Sequence, residues 1–144
     1  MIVITTPTGD IGGRLLPTLL ESGSAEDLRV IVRDPGRLPD PVRERVEVVV
    51  GSHGDRDVVD RAFAGADAVF WLVPPDASAT SLERAFSGFT APAARAFIEQ
   101  GVGHVVGVSA LGRGPPVAGR AGLVTASLAM DDLIGGTGVA YRAL

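Results

Sequence analysis

Residues 1–12 read MIVITTPTGDIG: an apolar run (Ile2, Val3, Ile4) stops abruptly at small polar residues, and glycines follow at Gly9 and Gly12. A leucine-rich stretch begins at Leu15. The pattern predicts a strand, a tight turn and a helix. In such a turn the first helical N–H groups lack intrahelical partners, and the positive end of the helix dipole favours a phosphate. A full dinucleotide fingerprint has three glycines, and here Thr6, followed by Pro7, stands at the first. Taken alone, the stretch reads equally well as an ordinary strand–helix turn. Its place at the head of an alternating strand/helix chain makes nucleotide binding the leading reading.

Working outward, apolar runs recur with helix-length segments between them. Strands are predicted at about 1–5, 28–32, 46–50, 68–73, 104–109 and 139–143, and helices at about 11–22, 56–63, 81–100 and 123–134. The strands are rich in Val and Ile and mostly continuous, as in strands covered on both faces. Gly88 and Pro92 interrupt the third helix, so a kink or break is expected there. Pro17 lies inside the first helix and costs roughly 3 kcal/mol unless accommodated. Strand–helix alternation argues for a doubly wound α/β fold, a parallel sheet with helices on both faces. Ligands then bind beyond the carboxyl ends of the strands, where strand order reverses. The Gly/Pro-rich segment 110–122 is expected to form a mobile loop over that crevice.

Composition narrows the classes. At 144 residues and 46% apolar, residues 1–144 are expected to form one globular domain. Cysteine is absent, which excludes disulfides and thiolate metal sites. No apolar run approaches the roughly 20 residues of a membrane span, and Met1 leads straight into a strand with no signal peptide. A cytoplasmic protein without membrane contact is expected. The net charge is −4 with scattered arginines, which argues against direct nucleic-acid binding. All 13 basic residues are arginine.

Arg33 and Asp34 follow the second strand, whose end faces the adenosine ribose in dinucleotide folds. An arginine there pairs with a 2′-phosphate, which favours NADP over NAD, and Arg37 lies four residues on. Alternatively, Asp34 simply pairs with Arg33. Ser52 and His53, after the third strand, border an adenine or, for His53, form a solvated loop. The two histidines lack ligand spacing, so no metal site is expected. Val73, Pro74 and Pro75 shape an apolar ledge under a pyrophosphate or nicotinamide, or merely end the fourth strand. Trp71 is assigned to the core. Ser109, ending the fifth strand, bonds cofactor or substrate, or its own backbone. Asp131 and Asp132 point about 100° apart and are read as a solvated helix end. The chain has one tyrosine, Tyr141, and no lysine, so the tyrosine–lysine pair of short-chain reductases is absent.

Taken together the blocks resemble a family. TTPTGDIG (5–12) resembles the TGATGxIG turn of the NmrA-like proteins, a branch of the atypical short-chain dehydrogenase/reductases. VIVRDPGRLP (30–39) is similar to their second strand and its arginine. VEVVVGSHGD (46–55), DAVFWLVPP (67–75) and GVGHVVGVSALG (101–112) resemble the next three strand ends, and TGVAYRAL (137–144) the strand that precedes their C-terminal substrate lobe. The resemblance implies a Rossmann-type sheet of about six strands, order 3-2-1-4-5-6, binding NAD(P). Thr6, Thr8, Gly9, Asp10 and Ile11 would line the pyrophosphate, Arg33 would take the 2′-phosphate, and Val73 and Pro74 would flank the nicotinamide half. Three departures stand out: Thr6–Pro7 for Gly-Ala, Ser52 for an aspartate near the adenine, and Met130 near a lysine or histidine of some members.

The resemblance implies an oxidoreductase, a reductase of quinones or other small carbonyl compounds, present here as its nucleotide-binding portion. The alternative is a non-catalytic redox sensor that binds dinucleotide and a protein partner. The sequence names no substrate. A missing lobe would leave apolar surface exposed, and a homodimer through that edge would cover it.

Overall fold

Short Val/Ile strands pair side by side because each carries apolar side chains on both faces. The structure, a computed structural model, describes residues 1–23, 27–74, 76, 78–111 and 122–144. Six strands, β1 (Ile2–Thr5), β2 (Leu28–Val32), β3 (Glu47–Val50), β4 (Ala68–Trp71), β5 (His104–Gly107) and β6 (Ala140–Ala143), form one sheet in the order β3-β2-β1-β4-β5-β6. Every pairing is parallel. This is the Rossmann order expected from the sequence. Strand order reverses between β2 and β4, on either side of β1, and opens a crevice at the carboxyl ends there.

Successive residues of a strand serve opposite faces. Val3, Ile31, Val69 and Val105 pack on the side of α3 (Arg56–Phe63), α4 (Phe89–Glu99) and α5 (Leu123–Gly135), around Trp71, Phe63 and Phe97. Phe63 and Phe97 stack there with centroids 5.1 Å apart. Ile4, Val30 and Phe70 pack on the other side with Leu16 of α1 (Gly12–Glu21) and Leu38. Trp71 is buried in the core, as its apolar flanks predict, and its indole N–H donates to the Thr90 hydroxyl at 3.2 Å.

Two short turns escape the sequence pattern: a 3₁₀ turn at Pro35–Arg37 and a single helical turn, α2, at Asp40–Arg43. Neither is long enough to carry a helical period. The expected break in the third predicted helix takes the form of a wide π-type turn at Arg84–Gly88, ahead of α4. Pro17 is tolerated because the carbonyl it strands belongs to Gly13, which is exposed to solvent. Pro75 and residues 112–121 of the predicted loop lie outside the described residues.

One close approach fixes how β1 hands over to α1. A Cβ built on Gly12 would lie 2.2 Å from the Thr6 carbonyl oxygen and 3.2 Å from Pro7 Cα. Both obstacles are backbone, so no rotamer change relieves them. Gly12→Ala is therefore expected to lower stability by about 2–3 kcal/mol, measured as a shift of the urea midpoint at unchanged slope.

Candidate functional site

The Thr5 hydroxyl ties the crevice floor together. It donates to the Phe70 carbonyl and accepts from the Leu72 N–H, both at 3.0 Å, so the ends of β1 and β4 stay in register. At Thr6 the backbone enters the left-handed region with φ +51°, a conformation that a β-branched residue rarely adopts. The Gly9 N–H closes the turn on the Thr6 carbonyl at 3.1 Å. The Thr6 hydroxyl is buried with no hydrogen-bond partner among the described residues.

The N–H groups of Thr8, Asp10, Ile11 and Gly12 have no hydrogen-bond partner among the described residues, and no side chain caps α1. Helix-start amides left bare in a crevice form an anion cradle. Across it, Arg33 and Arg37 make no ion pair among the described residues. Asp34 does not pair with Arg33. It accepts the Gly36 N–H at 3.0 Å and starts the 3₁₀ turn.

A cavity of about 480 Å³ joins these parts. Of the residues expected from sequence, Thr6, Thr8, Gly9, Arg33 and Pro74 line it. Asp10 and Ile11 sit exposed on the same turn, outside the lining. Val73 packs against the aromatic core instead. Ser109 is not in the lining. Arg37, noted in the sequence only for its spacing, does line the cavity, as do Phe89, Asp76 and Ser78. No local signal singles out Phe89, which arrives from α4 across the fold.

Two expectations are overturned. Asp131 is not a solvated helix end: it is 5% exposed, and its carboxylate accepts from the Ser109 hydroxyl and, at 2.6 Å, from the Tyr141 hydroxyl. One carboxylate thus joins α5 to the end of β5 and to β6. The Ser109 proton is committed to Asp131, so its oxygen is left to accept. Nor is His53 a solvated loop residue. It is 8% exposed, and its ring meets Trp71 and Phe89 edge-on at centroid distances of 5.2 and 4.8 Å. Gly54 permits this, since a Cβ there would lie 2.5 Å from the Phe89 ring.

His53 Nε2 lies 3.0 Å from the Leu72 carbonyl oxygen, which can only accept, so Nε2 carries the proton. Burial pushes the His53 pKa down from 6.5 to about 4; the Leu72 bond opposes this, the Arg33 charge assists it, and Asp55 opposes it. Between those two pH values the unfolded chain binds a proton that the folded one refuses. Stability therefore falls as pH drops from 6.5 to about 4, by up to ~3 kcal/mol. Urea melts at pH 7 and pH 4.5 are expected to show that loss, and His53→Phe to reduce it. Thr6→Gly removes both the left-handed strain and the stranded hydroxyl. After the added chain entropy of glycine it should raise stability by about 1 kcal/mol, read as a higher Tm.

Comparison with known proteins places this geometry. The sequence pattern of the NAD(P)H-binding family matches residues 7–142. Over 100 residues the chain is 40% identical to the (4-alkanoyl-5-oxo-2,5-dihydrofuran-3-yl)methyl phosphate reductase of Streptomyces griseus, covering 69% of this chain and 33% of that protein. The structure is similar to triphenylmethane reductase of Citrobacter sp. complexed with NADP(H), with TM-score 0.81 and 22% identity over 99% of this chain and 47% of that one. It is likewise similar to an NADPH-dependent quinone oxidoreductase from Escherichia coli complexed with NADPH, with TM-score 0.79 and 19% identity over 99% and 47% of the two chains. The chain thus spans about a third of the curated relative and about half of these structures. No helix of the described residues is long and apolar enough to cross a membrane. The chain belongs to the NAD(P)H-binding family.

Proposed function

We propose that residues 1–144 form the NADP(H)-binding domain of an NmrA-like oxidoreductase that reduces a quinone or another small carbonyl compound. One observation carries this reading: the turn from β1 to α1, through Thr6, Thr8 and Gly9, lines the same crevice as two arginines that make no ion pair among the described residues. The amides of Thr8, Asp10, Ile11 and Gly12 suit a pyrophosphate. Arg33 and Arg37, at the end of β2, suit a 2′-phosphate, since a guanidinium donates two parallel hydrogen bonds to phosphate oxygens. The residues present therefore fit the dinucleotide.

When bound, the nicotinamide supplies hydride chemistry. The chain's part is placement. The turn holds the pyrophosphate, and Pro74 gives the crevice a rigid apolar edge without a backbone donor. Ser109, its proton held by Asp131, offers an acceptor oxygen to a hydroxyl or amide donor at the end of β5. No catalytic acid is assigned. Absence of any lysine excludes the tyrosine–lysine pair, and that same fact favours the second reading, a dinucleotide sensor that acts through a protein partner.

Calorimetric titration of the chain with NADPH and, separately, NADH tests the reading. NADPH is expected to bind, and Arg33→Ala to weaken it at least ~10-fold while moving NADH affinity by less than ~3-fold. Absence of binding by both dinucleotides would sink the proposal. Equal losses for both in the variant would remove the phosphate role of Arg33.

A further inference from the structure

Pro17 stands inside α1 and takes no part in lining the dinucleotide crevice. It lines a different cavity, of about 230 Å³, between α1 and the turns that follow β2. Leu16 and Leu38, both buried, line that cavity together with Pro7, Pro39 and Val42. A proline ring fixes its own backbone φ, so the walls built on Pro7, Pro17 and Pro39 hold their shape without a ligand. Pro17 also has no N–H to give the Gly13 carbonyl, and Gly13 is a lining residue too.

The charge at this cavity has one sign. Arg37 lines it and makes no ion pair among the described residues. No aspartate or glutamate is among its lining residues. An apolar wall with one available guanidinium suits an apolar body that carries one carboxylate, two oxygens meeting two parallel N–H groups. The volume lies below the roughly 300–1,000 Å³ that encloses a drug-sized ligand, so a single ring with a short acid arm fits the space.

Arg37 lines the dinucleotide crevice as well. An anion that meets Arg37 from one cavity reduces the positive charge left for an anion in the other. We propose that the second cavity binds a small apolar carboxylate through Arg37 and thereby weakens the hold of the crevice on the 2′-phosphate of NADPH. The antagonism rests on the dinucleotide reading above; the carboxylate site does not.

The test titrates phenylacetate, and its neutral counterpart 2-phenylethanol, into the 144-residue chain, followed by amide NMR shifts and calorimetry. Phenylacetate is expected to bind with a Kd of about 1 mM and to shift the amides of Gly13, Leu38 and Val42. The neutral analogue should bind at least ~5-fold more weakly. Val42 lines this cavity and not the crevice, so Val42→Trp should abolish phenylacetate binding while NADPH affinity stays within ~1.5-fold. Saturating phenylacetate should weaken NADPH at least ~3-fold and NADH, which lacks the 2′-phosphate, by less than ~1.5-fold. NADPH should weaken phenylacetate by the same factor. No shift of those amides up to ~20 mM phenylacetate, or unaltered binding to Val42→Trp, would overturn the site. Equal affinities for the two probes would overturn the role of Arg37. An NADPH affinity that phenylacetate leaves unmoved would overturn the antagonism. Failure of NADPH to bind at all would overturn the dinucleotide reading and the antagonism with it, whereas the phenylacetate titrations would still decide the site.

Discussion

The close approach of Gly12 to the Thr6 carbonyl is the contact on which the site depends. It brings the start of α1 against the end of β1 with no side chain between them. Two residues, Pro7 and Thr8, separate Gly9 from Thr6, which lies in the left-handed region. No side chain caps α1, and its first amides have no hydrogen-bond partner among the described residues. A strained residue at φ +51° and a row of unpaired donors are both costly, and they occur together where an anion would relieve one of those costs.

The parallel sheet converts that local geometry into a crevice. Because every strand runs the same way, all the strand ends that carry polar residues emerge on one edge. Thr5 then joins two of those ends by accepting and donating across β1 and β4. The helices that cover the face behind the crevice also decide what lines it. Phe89 comes from α4 and reaches His53, while Asp131 comes from α5 and reaches Ser109. Each helix therefore sets the chemistry of a strand end as well as covering the sheet.

Polar residues at those ends behave as buried groups. His53 is held neutral by its apolar surroundings, and a single backbone bond defines its tautomer. Asp131 is buried with two hydroxyls meeting its carboxylate, Ser109 just after β5 and Tyr141 from β6. An unpartnered carboxylate at that depth would be expensive. Tyr141, alone of its type in the chain, thus satisfies a carboxylate on the neighbouring helix.

Strand positions, strand type and the glycine turn between β1 and α1 were legible in the sequence, because each depends on residues adjacent in the chain. Continuous Val/Ile runs mark strands buried on both faces, and the spacing of Gly9 and Gly12 marks where a helix can meet a strand closely. That Arg33 lines the crevice was legible for the same reason, since it directly follows β2. What the sequence could not show was decided by packing between distant segments. His53 and Asp131 both look solvated in isolation, because polar residues beside glycine or beside another aspartate usually are. Only when α4 brings Phe89 to one, and the ends of β5 and β6 bring Ser109 and Tyr141 to the other, do they become buried. Burial of a polar group is a property of its partners, and those partners lie 22 and 10 residues from Asp131 and 36 from His53 along the chain.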